Sequence, residues 1–544
     1  MPKKDLNSIA FPKLEDSQME ALEQFATLKS FADQQALFTA GDRKFKFFVI
    51  KKGNVEIVEH FTGKEKKVTL HEEKEFTGDI DMLAGKPTIV TAIAKGNCQV
   101  YEISTECLRK IVKEIPQLGN CILKAFLSRK KLLEELECTR IHVVGSKFSR
   151  DTFRIRNFLS KNKIPFMWRD VEKDLKVNKL LELFEIDKAE TPIVTFDNYS
   201  ILKNPSNIEL GKKLGITKFP EDKVYDLAIV GAGPAGLAAA VYGASEGLET
   251  VVFDQIAPGG QAGCSSNIEN YMGFPMGLSG TALASRAVIQ AQKFGAHISV
   301  PERVVGLEFD SSYQVLRFAN GKSISSKCVL IATGVSYRKL NIEGYKRFEG
   351  CGIYYSATAV EAQICRSATV VIVGGGNSAG QAAIFLSEHA KKVLLLIRGN
   401  SLYKTMSQYL VKRVEQTENI ELSIDTEIER INGDDILHSV DIRNNKTGQI
   451  KTVETAAVFI FIGAIPNTNW LPVHIEVDND GFVKTGLEVE NFNFGKAGRQ
   501  PFLLETTRPG VFAAGDVRSD SIKRVTSAVG EGSMTVKFVH QILS

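Results

Sequence analysis

The stretch that most constrains this chain is KVYDLAIVGAGPAGLAAAVYGASEGLETVVFDQ, which begins at Lys223. An apolar run from Leu227 to Val230 enters a glycine turn. A segment with small residues on one side follows, and then a second apolar run that ends in an acid. That order reads as strand, turn, helix and strand. Gly231 permits the tight turn, Gly233 lets the backbone approach a pyrophosphate, and Gly236 lets the helix pack close to the sheet, while the helix amino terminus faces the phosphates. Pro234 and Ala235 complete the phosphate turn, and Asp254 stands where a ribose 2′-hydroxyl contact is expected.

A second unit of this kind starts at Ala368, ATVVIVGGGNSAGQAAIFLSEHAKKVLLLIRGNS. Gly374, Gly376 and Ala379 hold the three fingerprint places, with Asn377 and Ser378 between them. After its second strand stands Arg398 instead of an acid, which offers a cation to a 2′-phosphate and favours NADPH over NADH. The alternative for Arg398 is an arginine capping a strand end in solvent. One acid-terminated and one arginine-terminated dinucleotide fold in a single chain imply FAD together with NADPH.

At 544 residues the chain is too long for one hydrophobic core and is expected to divide into roughly three to five domains. Hydrophobic residues at 43% and charged residues at 24% are ordinary globular usage, which excludes a disordered or fibrous chain. No apolar run approaches membrane-spanning length and the first residues carry no signal-peptide core, so the expectation is a cytoplasmic protein without a membrane partner. The net charge of +4 is spread out, and basic stretches such as TGKEKK and SRKKLLEELE are broken or followed by acids. These read as solvated faces and exclude a nucleic-acid partner. Eight cysteines without a C-x-x-C argue for reduced thiols, against a disulfide framework and against a zinc site. The eight histidines form no ligand cluster, and no metal is expected.

From about Tyr225 to the end the chain resembles the low-molecular-weight thioredoxin reductases. The matching segments are GAGPAG at Gly231, GGQ at Gly259, IENY at Ile268, LIATG at Leu330, GGGNSA at Gly374, FIGAIPNT at Phe461 and VFAAGDV at Val511. The resemblance implies that Gly260, Gln261, Asn270, Gly515, Asp516 and the Lys523-Arg524-Val525 run lie along FAD. Gly376 to Ala379 and Arg398 would hold NADPH, and the molecule would be a homodimer. Two departures stand out. The family's redox cysteine pair belongs where this chain has Ser356 and Ala359, in YYSATAVEA, and its His-Arg-Arg cluster is reduced to IRG at Ile397. A hydroxyl and a methyl cannot form a disulfide or a thiolate charge-transfer partner for flavin. Neighbouring Cys351 and the more distant Cys264 are the remaining candidate thiols, each without a partner at productive spacing.

Ahead of this region, ALFTAGDRKFKFFVIKKGNVEIVEH and FTGDIDMLAGKPTIVTAIAKGNCQVYEIS suggest short alternating strands separated by glycine turns at Gly41, Gly53, Gly78 and Gly96. The helical segments TECLRKIVKEI and LGNCILKAFLSRKKLLEELE then close an antiparallel β-roll. The order and spacing resemble cyclic-nucleotide-binding domains, in which a Gly-Glu stretch holds ribose and a Pro-Arg pair holds the cyclic phosphate. This chain has Gly78-Asp79 and Pro87-Thr88, with Asp81 close by, so the bidentate cation is missing and nucleotide binding is not expected.

Between the two parts, TRIHVVGSKFSRDTFRIRNFLSKNKIPFMWRDVE and KAETPIVTF form a βαβ plus β pattern that resembles thioredoxin and glutaredoxin folds. Their cis-proline would correspond to Pro192. Their C-x-x-C would fall near Ser149-Arg150-Asp151-Thr152, where thiols are again absent and Ser149 or Thr152 would cap the helix.

The expected architecture is multidomain: an N-terminal β-roll at 1–138, a thioredoxin-like α/β unit at 139–220, and two Rossmann-like α/β domains. The FAD domain comprises 221–342 and 464–544, and the NAD(P)H domain comprises 343–463. The expected function is an NADPH-dependent FAD oxidoreductase of the thioredoxin reductase type, passing electrons onward without a cysteine relay. The acceptor is left open among a quinone, a ferredoxin-like carrier, oxygen and a protein disulfide. The alternatives are a thioredoxin-disulfide reductase acting through unconventional cysteines, and a sensor in which turnover is incidental.

Overall fold

The computed structural model describes residues 8–544 except 41, 43–45, 62–63, 79–81, 83–87, 89, 136–140, 174–176, 178–180, 182–185, 197–199, 266, 311–312, 435 and 491–498.

The N-terminal unit is an antiparallel sheet built on two long strands, Phe47–Phe61 and Thr91–Ile103, which pair along most of their lengths. Gly53 and Gly96 do not separate strands as the sequence reading expected. Both lie inside these strands at positive φ, and the pairing register shifts between Lys52 and Asn54. The extra residues bulge the ladder without ending it. A Cβ at Gly53 would sit 2.9 Å from the Asn97 carbonyl, so the glycine serves a close approach between strands. Gly41 is outside the described residues. Helices Thr105–Glu114 and Pro116–Glu135 close the roll, burying Leu108, Ile111, Leu118, Ile122 and Phe126 against its strands.

The second unit is a four-stranded sheet in the spatial order Met167–Arg169, Ile141–Val144, Ile193–Phe196, Ile201–Lys203. The first pair is parallel and the other two are antiparallel. Helix Arg150–Lys161 makes the parallel crossover. Ser149 caps it by accepting a hydrogen bond from the Thr152 amide at 3.3 Å, while the Thr152 hydroxyl is buried without a hydrogen-bond partner. The Thr191–Pro192 peptide is cis and leads into strand Ile193–Phe196.

From Val224 the chain builds an outer lobe around a seven-stranded sheet with an inserted lobe. In the outer lobe, strand Val224–Val230 lies between Thr250–Phe253 and Ser323–Ile331, all parallel. The far edge of Ser323–Ile331 is completed in parallel by Val511–Ala513, which comes from the end of the chain. The final helix, Val525–Leu543, packs on helix Pro234–Ser245 so closely that a Cβ at Gly532 would meet the Ala235 carbonyl at 2.1 Å. The inserted lobe is a five-stranded parallel sheet centred on Thr369–Val373 and Ala457–Ile460, with a three-stranded antiparallel sheet beside it. The chain passes between the lobes through two short antiparallel strands, Val335–Tyr337 and Ala464–Pro466, in which Ser336 pairs with Ile465.

Among the described residues no helix is long and apolar enough to cross a membrane, and no group of His, Cys, Asp or Glu is placed to hold a metal ion.

Candidate active site

The two glycine fingerprints fold as their residue types require. Gly231 has φ +109, and a Cβ there would lie 2.2 Å from the Ala332 carbonyl; at Gly236 it would lie 1.9 Å from the Gly231 carbonyl. Sheet, turn and helix are therefore in contact with no room for a methyl group. Gly233 is different. It is the N-cap of helix Pro234–Ser245, no side chain caps it, and a Cβ there would meet nothing nearer than Gly260 Cα at 3.9 Å. Open space in front of an uncapped helix amino terminus fits a pyrophosphate. The inserted lobe repeats the arrangement: Gly374 is packed against the Phe461 carbonyl at 2.4 Å, whereas Gly376, N-cap of helix Asn377–Ser387, has nothing within 4 Å.

Both helix ends face one cavity of about 1320 Å³. Gly231, Gly233, Pro234 and Ala235 line it, as do Asp254, Gly260, Gln261 and Asn270. From the end of the chain it receives Gly515, Asp516, Lys523, Arg524 and Val525, and from the inserted lobe Asn377 and Ser378. Gly236, Gly374, Gly376, Ala379 and Arg398 are not in its wall. Ala379 is buried in the inserted lobe, and Arg398 is exposed just beyond strand Lys392–Leu396.

Asp254 braces the phosphate turn from behind. Its carboxylate accepts hydrogen bonds from the amides of Ala232 at 3.0 Å, Ile256 at 2.9 Å and Ala257 at 3.0 Å. Desolvation pushes its carboxyl above the usual carboxylate value, and these three donors oppose that shift. Asp516 is also raised by desolvation, with Lys523 pulling the other way. Glu531 fixes the neighbouring turn, accepting from the Gly515 amide at 2.6 Å and from Arg518 at 2.9 Å.

Several residues in the wall were not singled out by the sequence. Tyr337 stands where the lobes meet, hydrogen-bonded to Ser378, with Tyr355 stacked parallel at 6.3 Å and Phe461 edge-on at 5.7 Å. Burial pushes its phenol up to about 12, so it remains a neutral donor at physiological pH. Salt bridge Arg413–Glu269, at 2.7 Å, ties the lobes together nearby.

Ser356 lies in the cavity wall and Ala359 is exposed at the start of the short helix Ala359–Ala362. The Ser356 hydroxyl donates to Glu361 Oε1 at 3.1 Å. Glu361 is fully buried, and its other oxygen accepts from the Thr358 amide at 2.8 Å and from the Thr358 hydroxyl. A carboxylate three residues after Thr358 is the capping-box signal that could have marked it. Cys264 is the one described cysteine in the cavity wall. Cys351 is buried, its thiol raised by desolvation, and donates to the Arg347 carbonyl at 3.2 Å.

In the β-roll, Asp79, Asp81 and Pro87 lie outside the described residues. Thr88 is buried and donates to the Val90 carbonyl. Arg129, from the closing helix, reaches in beside Gly78. It donates to the carbonyls of Ala10 at 2.7 Å, Gly78 at 2.7 Å and Phe76 at 2.9 Å, with the Phe76 ring 4.7 Å from its guanidinium carbon.

A junction of two dinucleotide folds, with one helix amino terminus from each lobe turned toward it, defines a flavoprotein that takes electrons from a nicotinamide coenzyme. Residues 225–532 match the family model described as pyridine nucleotide-disulphide oxidoreductase, and residues 28–114 match that of the cyclic nucleotide-binding domain. The thioredoxin reductase of Peptoclostridium litorale is 31% identical over 333 residues, 59% of this chain and 99% of the relative. That of Treponema pallidum is 33% identical over 310 residues, 57% and 94% of the two chains. Among solved structures, Lactococcus lactis thioredoxin reductase superposes with TM-score 0.53 at 28% identity, covering 59% of this chain and 99% of that one. The T. acidophilum thioredoxin reductase gives the same score and identity, covering 59% of this chain and 100% of that one. The chain belongs to the pyridine nucleotide-disulphide oxidoreductase family. It is a multidomain, FAD-dependent NAD(P)H oxidoreductase of thioredoxin reductase-like build, using FAD and NADPH, with a β-roll of the cyclic nucleotide-binding type at its amino terminus.

Proposed function

We propose that the protein carries electrons from NADPH through FAD to an acceptor without a dithiol relay. The observation that carries this reading is Ser356, which stands in the cavity wall with its hydroxyl committed to buried Glu361, in the segment where the resemblance puts the family's cysteine pair. When bound, FAD supplies the two-electron chemistry that links hydride donor to acceptor. The chain supplies position and charge. The turn at Gly231–Gly236, braced by Asp254, would hold the FAD pyrophosphate, with Asp254 at the ribose 2′-hydroxyl, while Gly260, Gln261 and Asn270 would lie along FAD. Gly515, Asp516, Lys523, Arg524 and Val525 would close the site from the last segment. Gly374, Gly376, Asn377, Ser378 and Ala379 would seat the NADPH pyrophosphate, with Arg398 on its 2′-phosphate. Tyr337 would keep bulk water from the junction of the two cofactors.

This reading divides the chain at 1–138, 139–220, 221–342 with 464–544, and 343–463, and places it in the cytoplasm as a homodimer. The second unit is taken as thioredoxin-like, supported by its strand order and parallel crossover. A disulfide reductase acting through Cys264 is the second reading, favoured by the place of that thiol in the cavity wall. No second described cysteine lines the cavity to complete a pair.

Flavin reduction by NADPH is expected to outpace reduction by NADH, and Arg398→Ala should weaken NADPH about ten- to hundredfold, the worth of charge-assisted hydrogen bonds, with little effect on NADH. Stopped-flow reduction with both coenzymes measures this; equal affinities for NADPH in the two proteins remove the assigned role. For the β-roll, calorimetry of the full chain with cyclic AMP and cyclic GMP should show no binding, because Arg129 is committed to three carbonyls and Thr88 to a fourth. Micromolar heats would show that another cation takes the phosphate.

A further inference from the structure

Helix Arg150–Lys161 of the second unit rests on the segment that carries Ser356. Arg150 Nε donates to the Glu349 carbonyl at 2.7 Å, and its guanidinium lies against the Cys351 thiol. Phe153 packs on the core of the inserted lobe, its ring 5.1 Å from that of Tyr354. Arg156 is only 2% exposed; it sits 3.7 Å over the Trp168 ring, donates to Gln363 at 2.8 Å and lies within reach of the Glu361 charge. An aromatic anchor flanked by two arginines is the composition of an interface centre.

The same unit is also fixed to the outer lobe. Asn162 donates to the Ile256 carbonyl at 3.0 Å, Ile256 packs into the unit's own core, and the linker carbonyl of Lys218 accepts from Ser299 at 2.8 Å. A partner held by so short a tether faces its surface at an effective concentration in the millimolar range, roughly, which a free protein must exceed to displace it. The last turns of the helix, at Asn157, Ser160 and Lys161, meanwhile line the open cavity.

Resting on the function proposed above, we infer that the second unit is a permanent internal occupant of the face formed by residues 349–363, so that the onward acceptor is a small molecule entering the cavity and not a protein disulfide docking on that face. With a soluble quinone as acceptor the reaction balances as one hydride and one proton. NADPH loses two electrons and becomes NADP⁺, and the quinone gains two electrons and two protons, one of them from solvent, and becomes the hydroquinone.

The test uses the full FAD-loaded chain with a water-soluble naphthoquinone and, separately, oxidised thioredoxin, each with NADPH, together with amide hydrogen exchange over 349–363. The wild type should turn over the quinone and not thioredoxin, with exchange over 349–363 unchanged during turnover. Phe153→Asp with Arg156→Glu should speed exchange there by about tenfold or more while quinone turnover stays within about threefold. Arg150→Glu, an exposed site at the helix start, gives the same readout in smaller measure should the double variant fail to fold. Fast exchange over 349–363 in the wild type, thioredoxin turnover, or quinone turnover that rises and falls with opening of the interface would each overturn the inference. Failure of NADPH to reduce the flavin at all would instead overturn the function on which it rests.

Discussion

Anaerobic titration with NADPH is expected to end at about two electrons per flavin, where a flavin with an adjoining disulfide would store about four. Ser356 and Ala359 have no accessible redox state. Cys264 lines the cavity without a second described cysteine beside it, Cys328 and Cys365 are buried with thiols pushed up to about 12, and Cys351 lies under Arg150. No described pair of cysteines therefore stands beside the cavity. Ser356→Cys with Ala359→Cys should raise uptake toward about four electrons, since Ser356 already lies in the cavity wall and Ala359 is three residues on at the start of a helix, a spacing that suits a disulfide. Four-electron uptake by the unaltered protein would reveal a relocated thiol pair, and Cys264→Ser would then identify it. A double variant that still stops at two would place the segment away from the flavin.

Two glycine substitutions should separate space filled by protein from space kept for a ligand. Gly236→Ala puts a methyl 1.9 Å from the Gly231 carbonyl, and that turn cannot recede because Gly231 already abuts the Ala332 carbonyl. Overpacking of this kind costs about 3 kcal/mol, which corresponds to a loss in FAD affinity of about a hundredfold if the strain falls on the turn. The variant should purify largely colourless. Gly376→Ala meets nothing within 4 Å and has φ −93, a conformation that alanine adopts freely, so stability and flavin content should be unchanged. The NADPH affinity alone should drop, because the methyl occupies the place of the pyrophosphate. Thermal melts, the flavin absorbance ratio and KM for NADPH check all three. Normal KM in Gly376→Ala would show that the coenzyme does not approach this turn.

The fingerprints were legible because each is local: strand, turn and helix lie within a few tens of residues, and glycine at three places reports three separate steric demands. The Ser149 cap was legible for the same reason. Gly53 and Gly96 misled because an isolated glycine between apolar runs marks a turn or a bulge equally well, and only the pairing of Phe47–Phe61 with Thr91–Ile103 decides between them. Tyr337 and Arg156 were out of reach for another reason. Arg156 meets Gln363 across 207 positions, and Tyr337 meets Ser378 only once the lobes are placed. An arginine in an amphipathic helix reads as solvated until a second domain covers it.

The outer lobe draws strand Val511–Ala513 and helix Val525–Leu543 from the last part of the chain, and both belong to the centre of its architecture. During synthesis the β-roll, the second unit and the inserted lobe each have their strands before the ribosome reaches that point, and domains fold as units as they emerge. The outer lobe cannot. Its phosphate turn is made early, yet the helix that packs on Ala235 and the Gly515–Asp516 wall arrive last. A nascent chain that ends before residue 525 therefore has its phosphate turn but not the helix that packs on Ala235, and it should take up less flavin than the full chain.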